Sequence, residues 1–240
     1  MTSNWLRAVR LLVISNGLWP SGAQISANEF LALISDKVEI KVLSCIGGRY
    51  ALNPPRVEVH RLSLRKVGAL ITMDLDSVAV NLIKWADVVW IATSEFALAP
   101  EVKRVKSVPV IAHLHSYELI CPRMWFCYGL REPCQEGCSL LRSVECEQEC
   151  RRVLLRTGIL SGVRAWLRWS LNFTKSPLNY LKWRQLIGNI LNSIDGYVAV
   201  SNALRDLYVK HVRHLEKSIT VVYNPDTTTK VREARPRRAL

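Results

Sequence analysis

The chain has 240 residues, 49% of them apolar and 22% charged, with 33 Lys and Arg against 20 Asp and Glu for a formal charge of +13. That balance is ordinary for a globular protein and unlike a disordered one, and leaves enough apolar material for one large core or two small ones. No run approaches the roughly 18 to 20 apolar residues of a membrane span, and the excess of cations points to an acidic partner: nucleic acid, an anionic membrane surface or a phosphorylated substrate.

In chain order, Val9 to Ser15 (VRLLVIS) reads as a buried strand. It is short for a signal-peptide core and no small-residue cleavage site follows it cleanly, so it is taken as the first strand of a cytoplasmic fold. The turn NGLWPSGA leads into a helix from about Gln24 to Ser35, with Ile25, Phe30, Leu31 and Ile34 available for one face. Val38 to Cys45 alternates and is β-branched, which predicts a second strand, and VEVHRLSL predicts a third. Helical spacing runs from Val67 to Trp85; Val88 to Thr93 and Pro109 to His113 read as further strands.

The β/α pattern then breaks for a segment rich in Cys, Pro and Gly, taken as an insert over 116–151. Two basic helices follow within 152–194, roughly Arg152 to Leu171 and Leu178 to Ile194, separated by Pro177. From Arg151 to Ile190 there are eight cations and no acid. Trp166, Trp169 and Trp183 sit among these cations, a combination that suits either a membrane interface or a helical pair packed on the sheet with a solvated basic face. GYVAV restores the strand pattern, SNALRDLYVKHV is a helix with Ser201 as its N-cap, and SITVVYN is a last strand. Strand and helix alternating at this spacing predict a mostly parallel, Rossmann-like α/β sheet covered on both faces, spanning 1–224, with 225–240 as a linker or basic tail.

In such a sheet ligands bind beyond the carboxyl ends of the strands. His113 and His115 fall at one such end, two residues apart, so a strand points them the same way. Ser21, Gly22 and Ala23 fall at the same edge and lead into a helix N-terminus, which favours an anion. Tyr117 and Glu118 are placed to position an acceptor hydroxyl, or are exposed loop residues. Six of the seven cysteines lie within thirty residues. Cys134 with Cys138 and Cys146 with Cys150 form two pairs at i,i+4, a spacing that fits a four-thiolate structural zinc, with Cys121 and Cys127 as substitutes and disulfides as the competing reading.

Several segments in order resemble the N-terminal half of family-4, GT-B type, retaining glycosyltransferases: LLVISNGLWPSGAQISANEFLALIS, VPVIAHLHSYELICPR with the Cys-rich insert after it, IDGYVAVSNALRDLYVKH, and ITVVYNPDTT. The resemblance implies a nucleotide-sugar donor, a lipid-linked or glycan acceptor and no cofactor for the chemistry itself. It makes His115 the catalytic candidate lining the cleft, with Ser21, Gly22, Ala23, Tyr117, Glu118, Ser201, Arg205 and Asn224 as substrate contacts. It departs from the family in having Ser21-Gly22-Ala23 where many members have two glycines, and Ser116 where Asp is common. The family's donor-binding second domain would begin after Asn224, and the chain ends sixteen residues later. The expectation is therefore a fragment, a truncated product or one half of a two-chain enzyme, cytoplasmic and peripheral at the inner face of the membrane. The alternative is a non-catalytic, basic, metal-stapled module that binds nucleic acid or anionic membrane. No helix-loading finger pattern or RNA-binding motif supports nucleic acid.

Overall fold

The structure, a computed structural model, describes residues 8–15, 22–44, 58–61, 75–122, 127–128, 132–134, 137–156 and 176–225. Its centre is a seven-stranded sheet. Strands β1 (Arg10–Ser15), β2 (Glu39–Ser44), β3 (Glu58–Arg61), β4 (Val88–Ile91) and β5 (Val110–Leu114) carry its first part. After a two-stranded ribbon, β6 (Cys127–Tyr128) with β7 (Glu132–Pro133), it is completed by β8 (Gly196–Ala199) and β9 (Ile219–Val221). The order across the sheet is β3-β2-β1-β4-β5-β8-β9, with every neighbouring pair parallel. The chain runs outward from β1 to β3, then returns to β4 on the other side of β1. That reversal makes a topological switch point at the carboxyl ends of β1 and β4, where sheets of this kind bind ligands.

The near-continuous apolar strands follow from burial on both faces. Leu11 and Val13 face α1 (Gly22–Ile34), where they pack with Ala27, Leu31, Val42 and Trp90. Leu12, Ile14, Val89, Ile91, Val110 and Ala112 face the opposite layer. That layer holds α2 (Ser77–Trp85), α3 (Ala99–Val105), α5 (Ser176–Asn192) and α6 (Asn202–His211). Leu12, Ile14 and Ile91 are fully buried, each contributing about 1.5–3 kcal/mol relative to exposure. At the opposite edge from the switch point, the Asp195 carboxylate accepts from Val110 N–H at 2.7 Å and from Lys103 Nζ at 2.6 Å, fixing the turn into β8 against β5.

The structure adds detail to the sequence expectations. α4 (Leu140–Arg156) begins inside the insert placed over 116–151. Ser139 caps that helix, its Oγ accepting from Arg142 N–H at 3.1 Å; the run of charged residues between the cysteines hides the period. Of the helix expected from Arg152 to Leu171, residues 152–156 continue α4, and 157–175, with Trp166 and Trp169, lies outside the described residues. Trp183 is not at an exposed interface. It is 8% exposed, and packs in the core with Tyr180 and Ile187 because it lies on the inward face of α5. The helix α3 has no counterpart in the sequence expectations, and the part of the expected helical pattern over 67–74 lies outside the described residues.

Candidate active site

A cavity of 610 Å³ opens at the switch point. Its walls come from three places: the start of α1 (Gly22, Ala23, Gln24), the loop after β4 (Thr93, Ser94, Phe96), and the end of β5 with its loop (His113, His115, Ser116, Glu118). Val200 after β8 and Asn224 after β9 complete it. Ser26 Oγ on α1 donates to Asn224 Oδ1 at 2.6 Å, holding the end of the last strand beside the first helix.

His113 and His115 do point the same way, with ring centroids 4.1 Å apart. The His113 ring also meets Phe30 and Trp90, each with centroids at 5.6 Å. His113 is 1% exposed, and neither of its ring nitrogens has a hydrogen-bond partner; the same is true of His115 Nε2. Burial holds both imidazoles neutral, pushing His113 down to about 3, with the charge of His115 adding to the effect, and His115 down to about 4. A neutral imidazole both donates and accepts, which suits a hydroxyl-bearing ligand.

The loop that carries Glu118 is clamped from behind. Tyr208, fully buried on α6, donates its hydroxyl to Ser116 O at 2.8 Å, and Trp183 Nε1 on α5 donates to Glu118 O at 3.3 Å. These backbone anchors leave the Glu118 side chain directed at the cavity, with Oε2 buried and unpartnered. Under the adjacent wall, the Thr93 hydroxyl donates to Glu95, a carboxyl that is 5% exposed. Burial pushes Glu95 up to about 7 against the pull of that hydrogen bond, and the Glu118 charge adds to the rise. No pattern in the sequence singles out Thr93 and Glu95. The available signal is their place directly after β4, the strand beside the switch point.

The other predicted residues are dispersed. Ser21 lies outside the described residues. Gly22 and Ala23 line the cavity, and a Cβ added at Gly22 would meet nothing within 4 Å, so packing does not require the glycine. Tyr117 packs against the core instead of lining the cavity. Ser201 caps α6, its Oγ accepting from Leu204 N–H at 3.2 Å, and Arg205 pairs with its neighbour Asp206 at 2.7 Å in an exposed position.

No disulfide joins Cys121, Cys134, Cys138, Cys146 and Cys150. Burial pushes the Cys138 thiol up to about 12, and the neighbouring Cys121, Cys134 and Cys146 add to the rise. Cys150 lies one turn beyond Cys146 on α4 and is buried. Cys127's side chain lies outside the described residues. Among the described residues no group of three or more His, Cys, Asp or Glu side chains is arranged to hold a metal ion. Among the described residues no helix is long and apolar enough to cross a membrane.

No family model and no curated protein matches the chain. Solved structures do. The Anabaena protein Alr3699/HepE, crystallised with UDP-glucose, superposes with a TM-score of 0.51 at 13% identity over 93% of this chain and 49% of that one. A glycosyltransferase from Rickettsia africae is similar at a TM-score of 0.45 and 11% identity, covering 95% and 48% of the two chains. Medicago truncatula UGT71G1, complexed with UDP-glucose, is similar at 0.45 and 9%, covering 94% and 55%. The chain spans about half the length of the solved structures it matches. At these identities the likeness to HepE shows a shared fold: a Rossmann-like, parallel α/β sheet.

Proposed function

We propose that the chain is the acceptor-side half of a nucleotide-sugar-dependent glycosyltransferase of the retaining, hexosyl-transferring kind. The observation that carries this reading is the cavity at the switch point, where two neutral imidazoles and the Glu118 carboxylate present unpartnered polar atoms to a volume suited to a small ligand. The shared fold with a protein crystallised with UDP-glucose adds to it.

In glycosyl transfer the bond from the anomeric carbon to the leaving phosphate oxygen breaks as the acceptor oxygen bonds to that carbon. The transition state resembles an oxocarbenium ion, so positioning and electrostatics supply most of the acceleration. His115 is the residue assigned to hold a sugar hydroxyl near the reacting carbon, with His113 packed behind it. Glu118 accepts from the acceptor, and the α1 N-terminus offers backbone N–H groups to an oxygen. The donor nucleotide is held mainly by a second domain or chain. The acceptor is lipid-linked or a glycan. A membrane surface is consistent with α5, where Leu178 and Leu181 are 60% and 52% exposed beside exposed Lys182 and Arg184.

Calorimetric titration of the chain with nucleotide-sugars and nucleoside diphosphates tests the division of labour. The reading expects no binding in the micromolar range usual for substrates. Micromolar binding of either would place the donor site within these residues and overturn it. In the active enzyme, His115→Ala is expected to abolish transfer while preserving the fold; wild-type turnover by that variant would remove His115 from its role.

A further inference from the structure

The cavity runs against the charge of the chain. The protein carries a formal +13, yet the described residues that line the cavity include no Lys or Arg, and Glu118 is the acid among them. The histidines add no positive charge, because burial keeps both neutral. Directly behind Thr93 lies a second carboxyl, Glu95, close enough to Glu118 for the Glu118 charge to push it up.

An acidic pair alone would say little, but it is accompanied by unmet hydrogen-bonding capacity. His113, 1% exposed on the cavity wall, has both ring nitrogens unpartnered, and Glu118 Oε2 and His115 Nε2 are likewise buried without partners. A carboxylate oxygen withdrawn from water without a donor is costly. The Trp183 and Tyr208 anchors act on the backbone of this loop and leave the carboxylate to be satisfied by a ligand.

The chemistry of the missing donor can be narrowed. A phosphate would meet Glu118 as a like charge. The α1 N-terminus does offer partial positive charge, but it follows β1, and β1 is separated from β5 by β4. Two strand spacings put it about 10 Å from the Glu118 loop, on the other wall. A neutral hydroxyl supplies one donor and leaves the charge uncompensated. An ammonium supplies three donors and the opposite charge, matching a carboxylate flanked by imidazole nitrogens that can accept.

We infer that this wall of the cavity recognises a protonated amine, so that the acceptor is an amino sugar or a similar amine-bearing glycoside with Glu118 as its counter-ion and Glu95 as the second carboxyl. The inference rests on reading the cavity as an acceptor site.

The test is an NMR titration of the full chain with three methyl glycosides of the same sugar, bearing an amine, an N-acetyl group or a hydroxyl at one carbon, in gluco and galacto forms, and separately with UDP. The amine is expected to bind about tenfold tighter than either neutral counterpart, since charge-assisted hydrogen bonds are roughly twice as strong as neutral ones. That advantage is expected to shrink with salt and to vanish in Glu118→Gln, which keeps the side-chain size. Should that variant fail to fold, Glu95→Gln is expected to reduce the same preference. Equal or tighter binding of the neutral glycosides would overturn the amine while leaving the acceptor site standing. UDP shifting the cavity histidines while no glycoside binds would overturn both. No response to any probe would overturn the amine inference.

Discussion

Replacing His113 with Phe turns the burial of a titratable ring into a measurable pH effect. The imidazole lies between the rings of Phe30, Trp90 and His115 with no hydrogen bonds to lose, so an apolar ring of similar size suits the space. Burial, then the charge of His115, lowers its folded value to about 3 from an ordinary 6.5. Below pH 6.5 the unfolded chain therefore binds a proton that the native state refuses. The stability contributed by the neutral ring is fully present above 6.5 and is lost as the pH falls toward 3. Between pH 6.5 and 4.5 this one group costs about 2 kcal/mol, at about 1.4 kcal/mol per proton per pH unit. Glu95 works in the opposite sense: its carboxyl is raised to about 7, so its protonation stabilises the fold as the pH falls from 7 to 4.5. The wild-type profile alone would hide part of the histidine effect, but Glu95 is common to both proteins and cancels in the comparison. Urea unfolding at a series of pH values is the assay. The difference in stability is expected to shift by about 2 kcal/mol in favour of His113→Phe between pH 6.5 and 4.5. A difference that stays constant with pH would refute the reasoning, since it would mean that the ring takes up a proton as readily in the folded state.

Other perturbations separate scaffold from site. Tyr208→Phe removes the hydroxyl that holds Ser116 O and is expected to cost about 1 kcal/mol in urea unfolding. It is also expected to raise amide exchange through Ser116 to Glu118, and unchanged exchange there would show that the anchor does not position the loop. Ser201→Ala is expected to cost about 1 kcal/mol and Ser201→Gly a few tenths, because the cap is lost but the extended backbone is tolerated; equal losses would deny it a capping role. Gly137→Ala is expected to destabilise more than a surface substitution, since Gly137 has φ 68° and its Cβ would lie 2.7 Å from His211 Nδ1. A neutral result would show that the Gly137 turn and His211 separate freely.

Much of the sheet was legible because buried parallel strands leave runs such as Leu11 to Ile14, and alternation placed His113 and His115 on one side. Ser201 was legible as a cap because a serine directly precedes the α6 pattern. The helix α4 was not, because Arg, Glu and Cys occupy much of its surface and leave no clear apolar stripe. Trp183 was illegible because a tryptophan among cations has the same local signature on either face of a helix; only packing decides which face is inward. Thr93 and Glu95 were invisible because their importance comes from strand order, and adjacency of β4 to both β1 and β5 is a property of the folded sheet. The cysteines do fall in two i,i+4 pairs, but spacing along the chain does not show that Cys121, Cys134 and Cys146 all lie near enough to Cys138 to raise its thiol.

The central claim is that a sugar acceptor binds at the switch point beside His113, His115 and Glu118. The most direct test is histidine-labelled NMR of the full chain during titration with simple methyl glycosides. The chain has five histidines; among the described residues His113 and His115 line the cavity, and His211 and His214 at the far end of α6 serve as internal controls. The account predicts saturable shifts of the His113 and His115 ring signals while His211 and His214 stay fixed. Shifts confined to His211 and His214, or none at His115 under saturating glycoside, would contradict it.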